Sequence, residues 1–400
     1  MRVASQPASS LIFNCIISLM FALFSLLAKF TRLFTKALKL GQGTTYISNL
    51  YLKFFPNSVS FKSFKFSKGV IFVTGTNGKT STSKIISDIL SYLGYTVLHN
   101  KTGGNIFRSI LGMFLLENNK IKNNDYDFLV LEVDEASVPE LAKYFEVDVL
   151  VILNFSRDQL DRYFEIENIS MGISKLLNEN KDINLVYNSE DPYCSEIAAS
   201  ITNTKLAFKK NLELLNISNL SEEYMAFNLD AVVKTLAGYG YYPKDYLTPL
   251  RTIKKPYGRG EEIIYKGVKF VLTLAKNPSS FNSNLIELSK KKNLENLLFC
   301  LNDETPDGAD ISWIYDIEPY LIFEVANGKS LFFSGHRAYE MANRITLALE
   351  ENKKVIVDTQ IKNIVNQILK SKLNEIEVIC NYSSMLQFRK ILLGKNILWN

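Results

Sequence analysis

The stretch GVIFVTGTNGKTSTSKIISDIL, residues 69–90, decides the fold. Its opening run is apolar and reads as a buried strand, TGTNGK is a glycine turn, and the residues from Lys79 onward carry apolar side chains at helical spacing. A strand that turns sharply into a helix leaves free backbone N–H groups at the helix N-terminus, where a polyphosphate is stabilised. Gly75 and Gly78 let the backbone approach the phosphates, with Thr76 and Asn77 between them. Lys79 offsets phosphate charge, and the Thr80 hydroxyl can hold Mg²⁺. The spacing G-x-x-G-K-T is shorter than the general G-x-x-x-x-G-K-[ST], yet strand, turn and helix agree. We read ATP binding here and take Lys79 to be an exposed loop lysine.

Outward from this turn, apolar runs alternate with helical patterns: GVIFVTG, TVLHN, DFLVLEV, DVLVILN and INLVYN. That alternation predicts an α/β fold with a parallel sheet covered by helices on both faces. Ligands of such sheets sit at the carboxyl ends of the strands, where the glycine turn, Glu132 and Asn154 all fall. A second alternating set follows GYGYYPKDYLTPL: VKFVLTLA, LLFCLN, YLIFEV, SLFFSG, KKVIVD and EIEVICN. The expected division is an N-terminal apolar helix and connecting segment over 1–60, an ATP-binding domain over 61–245 and a further α/β domain over 246–400.

Composition narrows the classes. With 400 residues, 47% of them hydrophobic, the chain can build two or three real cores. The net charge of +5 comes from lysines spread along the whole length, so no nucleic-acid partner is indicated. Cys15, Cys194, Cys300 and Cys380 are widely separated, and only His99 and His336 could join them, so no zinc is expected. The pattern suits reduced core thiols in a cytoplasmic protein. SLIFNCIISLMFALFSLLAKF, residues 10–30, is long enough to cross a bilayer. We expect a packed or membrane-associated helix, with a spanning anchor as the alternative, rather than an exported segment. Lys29, Arg32, Lys36 and Lys39 behind it would keep the rest of the chain in the cytoplasm, at the inner face of the cytoplasmic membrane if the helix associates there.

Three further strand ends carry candidate chemistry. In LEVDEAS, Glu132 lies where a carboxylate reaches a Mg²⁺ beside the nucleotide, while Asp134 and Glu135 read equally as caps of the next helix. In NFSRDQLDRY, Asn154 can present its amide to a nucleotide, and Asp158 and Asp161 open a helix. In YNSEDPYC, Asn188 and Asp191 are placed to hydrogen-bond adenine or ribose.

TGTNGKTST, LEVDEAS, LNFSRDQLDRY and YNSEDP together resemble the central domain of the Mur ligases, within the Mur ligase and folylpolyglutamate synthetase superfamily. YGRGEE, LAKNPSSFN, LNDETPDGADISWIYDIE and SGHRAYEMANRI are similar to the C-terminal domain of the MurT family, so the resemblance spans nearly the whole chain. It implies a P-loop central domain with a parallel sheet plus a Rossmann-like C-terminal domain. It also implies ATP and Mg²⁺, with Lys79 and Thr80 on the phosphates and the metal, Glu132 on Mg²⁺, and Asn154, Asn188 and Asp191 on the nucleotide. Arg259 resembles the arginine that the C-terminal domain brings toward the phosphates, and Lys276 and Asn277 lie where that domain faces the substrate. Gln159 stands where amino-acid-adding ligases carry histidine, as MurT proteins do.

The family works with a glutamine amidotransferase, GatD, to amidate the D-glutamate α-carboxyl of the peptidoglycan stem on lipid II. It lends an acidic residue to the partner's Cys and His, for which Asp316 is the first candidate and Asp310 the second. One departure is visible. MurT proteins commonly insert a four-cysteine zinc ribbon, and residues 194–228 hold no second cysteine. Two other readings compete: a ligase that joins an amino acid to a carboxylate, and a non-catalytic scaffold that binds ATP.

Overall fold

All six residues of β1 (Gly69–Thr74) are buried, which requires a sheet covered on both faces. The computed structural model describes residues 8–37, 44–55, 61, 64–100, 104–155, 166–218, 220, 224–253, 258–304, 307–308, 310–351 and 353–394, with the backbone alone for 8–18, 34–37 and 44–45. β1 lies inside a six-stranded parallel sheet with β2 (Val97–His99), β3 (Phe128–Glu132), β4 (Val149–Ile152), β5 (Asn184–Asn188) and β6 (Lys205–Phe208), in the order β2-β3-β1-β4-β5-β6. The chain leaves β1 toward one side and later returns to its other side at β4. The β1 end is therefore a topological switch point, the place where open α/β sheets take ligands. Alternation along β1 sorts its side chains: Phe72 joins the core on one face, Ile71 and Val73 the core under helices Lys79–Tyr92 and Tyr224–Ala237 on the other.

A second six-stranded sheet contains β7 (Arg259–Tyr265), β8 (Val268–Leu274), β9 (Asn296–Cys300), β10 (Ser330–Ser334), β11 (Lys354–Val357) and β12 (Glu375–Cys380), ordered β11-β10-β9-β12-β8-β7. Only the edge strand β7 runs antiparallel. Between the two sheets in the chain, Tyr246 and Leu250 pack into the core under helices Lys79–Tyr92 and Tyr224–Ala237.

The sequence reading erred at one element and overlooked two. YLIFEV is not a strand: Pro319–Ala326 is a helix, with Pro319 in its first turn and Leu321, Ile322, Val325 and Ala326 buried along one side. A short apolar run has no period of its own until its neighbours set one. β6 and β7 went unread because edge strands are half exposed and carry weak apolar patterns.

The N-terminal segment forms helices Ala8–Ala37 and Thr44–Phe54. Phe21 and Phe24 meet Tyr51 edge-on, with ring centroids 5.6 and 5.1 Å apart. Among the described residues, no helix is long and apolar enough to cross a membrane.

Candidate active site

The glycine turn closes over the carboxyl end of β1 and is held there from β4. Asn154 accepts the Asn77 N–H at 2.9 Å through its side-chain oxygen and donates its amide to the Asn77 carbonyl at 3.0 Å. Its own carbonyl receives Thr76 N–H at 3.0 Å. Gly75 has φ +128°, and a Cβ there would lie 2.9 Å from the Asn154 nitrogen. Gly78 has φ +91°, and a Cβ there would collide with the side-chain oxygen of buried Asn228. Only glycine fits at either position. Helix Lys79–Tyr92 starts from Gly78 without a side-chain cap, so its first N–H groups remain available to an anion.

Lys79 is not the exposed residue expected; it is 5% accessible. Its ammonium donates to the carbonyls of Gly75 and Thr76 and lies 2.9 Å from Glu135 Oε2. Burial pulls the ammonium down, but Glu135, Glu132 and Asp134 outweigh it and hold the group above the ordinary lysine value. Burial also pushes the Glu135 carboxyl up, and there Lys79 and Lys276 prevail, keeping it below the usual carboxylate range. At Glu132 burial wins: the carboxyl is raised despite Lys79, Thr80 and Lys276. The Thr80 hydroxyl donates to Glu132 Oε2 at 2.8 Å.

Glu132 is fixed through its backbone. Asn100, at the end of β2, accepts Glu132 N–H at 2.9 Å and donates to the Glu132 carbonyl at 2.8 Å. Among the described residues no three His, Cys, Asp or Glu gather as a metal cage. Mg²⁺ does not need one, because it binds through one or two protein oxygens and completes its shell with phosphate and water. The adjacent Thr80 hydroxyl and Glu132 carboxylate suit that donor set, as the uncapped helix N-terminus and glycine cradle suit a polyphosphate.

The C-terminal sheet reaches the same place. Lys276, just beyond β8, is close enough to Glu132 and Glu135 to favour their ionised forms. Asn277 caps helix Pro278–Ser289 through Ser280 N–H at 2.9 Å, and its amide lies 3.4 Å from Asn77 Oδ1 in the glycine turn. Arg259 opens β7 opposite Thr273, at the end of the sheet from which Lys276 and Asn277 project.

The other predicted residues take different places. Asn188 donates to the Leu153 carbonyl at 3.1 Å, and Asp191 accepts Phe155 N–H and Cys194 N–H, both at 2.9 Å. Both side chains brace the segment after β4. Asp158, Gln159 and Asp161 lie outside the described residues. Asp316 ends the exposed face of the short turn Ser312–Asp316, whereas Asp310 caps that turn by accepting Ser312 N–H at 2.8 Å. Buried Arg344 holds the turn from below, donating to the carbonyls of Ile314, at 3.0 Å, and Ile317. Sequence reasoning missed Asn100, Asn228, Arg344 and the pairing role of Glu135. Asn100 had a signal, a polar residue at a strand's carboxyl end; the others are distant in sequence from what they touch.

A glycine cradle at the switch point of a parallel sheet, a buried lysine among carboxylates and a second α/β domain facing the cradle define an ATP-dependent ligase of the Mur type. Residues 73–234 match the Mur ligase middle domain and residues 274–385 the MurT ligase C-terminal domain. The two matched domains are those of the MurT type of Mur ligase. It is 26% identical over 360 residues, 73% of its length and 80% of the relative's, to the protein named lipid II isoglutaminyl synthase (glutamine-hydrolyzing) subunit MurT from Staphylococcus aureus (strain COL). It is 24% identical to the subunit of the same name from Streptococcus pneumoniae (strain ATCC BAA-255 / R6), over 90% of this chain and 94% of that one. Among solved structures, MurF from Acinetobacter baumannii shares the fold with a TM-score of 0.63 at 16% identity, covering 82% of this chain and 76% of its own. A pseudomurein peptide ligase type C from Methanothermus fervidus does so with a TM-score of 0.62 at 17% identity, covering 83% and 80%.

Proposed function

We propose that this chain amidates the α-carboxyl of D-glutamate in the stem peptide of lipid II, using ATP, with ammonia supplied by a GatD-like glutaminase subunit. A carboxylate resists attack by ammonia. Transfer of the ATP γ-phosphoryl group to one of its oxygens gives an acyl phosphate and ADP; ammonia adds to the acyl carbon, phosphate leaves, and a proton is released. The protein's part is positioning and charge compensation. Lys79 turns from the Gly75 and Thr76 carbonyls toward phosphate oxygens. Thr80 and Glu132 would hold Mg²⁺, which neutralises phosphate charge when bound. Lys276 and Arg259 add positive charge from the second domain. Asn154, Asn188 and Asp191 keep the nucleotide-side loops in place.

The observation that carries this reading is the convergence of both domains on the glycine turn, with Lys276 facing the two glutamates that flank Lys79. The partner assignment is supported by Asp316. It is exposed on a rigidly held turn beside exposed Tyr315, and Tyr320 and Phe323 of the adjoining helix are exposed as well. There it completes the partner's Cys–His pair by orienting the histidine and stabilising its imidazolium. The site works in the cytoplasm, at the inner face of the membrane that holds lipid II.

The test supplies lipid II and ATP with ammonium, with glutamine plus the partner, or with free amino acids. Amide product with the first two nitrogen sources supports amidation; extension of the peptide by an amino acid establishes the competing ligase reaction.

A further inference from the structure

Helix Ala8–Ala37 has two unlike faces. Phe21, Phe24 and Ala28 are buried against the helix Thr44–Phe54 and the central domain, so this stretch lies along the protein instead of leaving it. On the other side Leu19, Leu23, Leu26, Phe30 and Leu33 are 67, 47, 66, 70 and 69% exposed. Their spacing of four, three, four and three residues sets them in one seam. A chain that hides most of its large apolar side chains has left a continuous row of them in water, which marks an interaction surface.

Charge selects the occupant. From Met1 to Ser87 the sequence holds no aspartate or glutamate, while Lys29, Arg32, Lys36, Lys39, Lys53, Lys62 and Lys65 are all cationic. A second copy docking through this seam would bring like charges together with no acid from this stretch of either chain to offset them. A bilayer rich in anionic phospholipid offers both an apolar layer and the complementary charge. We propose that residues 19–33 dock this protein in the plane of an anionic lipid surface, with the leucine and phenylalanine row in the acyl boundary and Lys29 and Arg32 at the headgroups. The surface rests on the helix itself. Its purpose, keeping the site beside a membrane-bound substrate, rests on the reading above.

The full-length chain is mixed with vesicles of phosphatidylcholine alone or with phosphatidylglycerol added, and sedimented at low and high salt. The expected result is a preference of about tenfold or more for the anionic vesicles, reduced by salt. Leu26→Glu/Phe30→Glu changes two exposed side chains; it should bind those vesicles at least about tenfold more weakly while keeping its thermal transition. The same variant should amidate a lipid II analogue with a short, water-soluble tail at the wild-type rate, which separates failure of docking from failure of the assigned chemistry. Equal vesicle binding by variant and wild type, or none by either, overturns the proposal. So does a wild-type dimer that the variant dissociates, which would give the seam to a second copy, and so does retention in the bilayer after alkaline extraction, which would mean spanning.

Discussion

The Lys79 ammonium lies 2.9 Å from Glu135 Oε2, and both side chains are buried. In the proposed reaction, the charge that meets phosphate is stored against a carboxylate instead of in water until a nucleotide arrives. Incoming phosphate therefore replaces a partner and need not desolvate a hydrated lysine.

Removing one member of such a pair leaves the other charged and buried. Lys79→Met should abolish ATP-dependent product and also lower unfolding stability by about 3 kcal/mol. Glu135→Gln added to it should restore much of that stability without restoring activity. Denaturant titration of the single and double variants checks this. A Lys79→Met protein as stable as wild type would mean the pair is not buried in solution.

The two glutamates respond to pH in opposite directions. Glu135 is held below the ordinary carboxylate value, so its contribution is complete above about 4.3 and is lost as pH falls through the lowered value. Glu132 is raised, so its charge costs stability above the raised value, and the folded state gains as Glu132 takes up a proton. Glu132→Gln should then melt about 2 °C higher than wild type at neutral pH while losing ATP-dependent product. Glu135→Gln should melt lower at neutral pH, with the difference shrinking below about pH 4. Melting curves across this range decide; a Glu132→Gln protein less stable than wild type would show that the carboxylate is structural.

On the proposed function, variants of Asp316 and Arg344 should separate the two half reactions. Asp316→Asn in the complex should remove most glutamine-dependent amidation and leave ammonium-dependent amidation intact, because Lys79, Thr80 and Glu132 do not sense the change. Arg344→Lys keeps the charge but cannot hold the Ile314 and Ile317 carbonyls together. It should reduce glutamine use by roughly tenfold with little effect on ammonium use. Equal losses with both nitrogen sources would place these residues in the ligase site or in the fold.

No stoichiometric zinc is expected in the purified protein. Cys194, Cys300 and Cys380 are buried, and burial pushes each thiol up, away from the thiolate that binds metal. One zinc per chain by elemental analysis would show a site built by other residues.

What could be read from the sequence was local. The TGTNGKT turn announces itself because strand, glycines, lysine and helix lie within one stretch, and Glu132 and Asn154 follow from their places at strand ends. The pairing of Lys79 with Glu135 joins residues far apart in the chain, and nothing in LEVDEAS says that Glu135, rather than Asp134, turns inward beside Glu132. Arg344 sits in a helix that reads as ordinary and amphipathic; only the packing of that helix under Ser312–Asp316 gives it a task. YLIFEV shows the opposite limit, a local pattern too short to have a period.

In the proposed reaction the lipid II carboxylate is activated by phosphorylation and then attacked by ammonia. Oxygen tracing follows that order of events, using the complex, ATP, Mg²⁺, glutamine and lipid II whose D-glutamate α-carboxyl carries heavy oxygen. Each turnover should move one labelled oxygen into inorganic phosphate, form one ADP, and leave a product whose mass reflects exchange of a hydroxyl for an amino group. Amide formed with unlabelled phosphate, or ATP consumed only when a free amino acid is present, would contradict the proposed reaction.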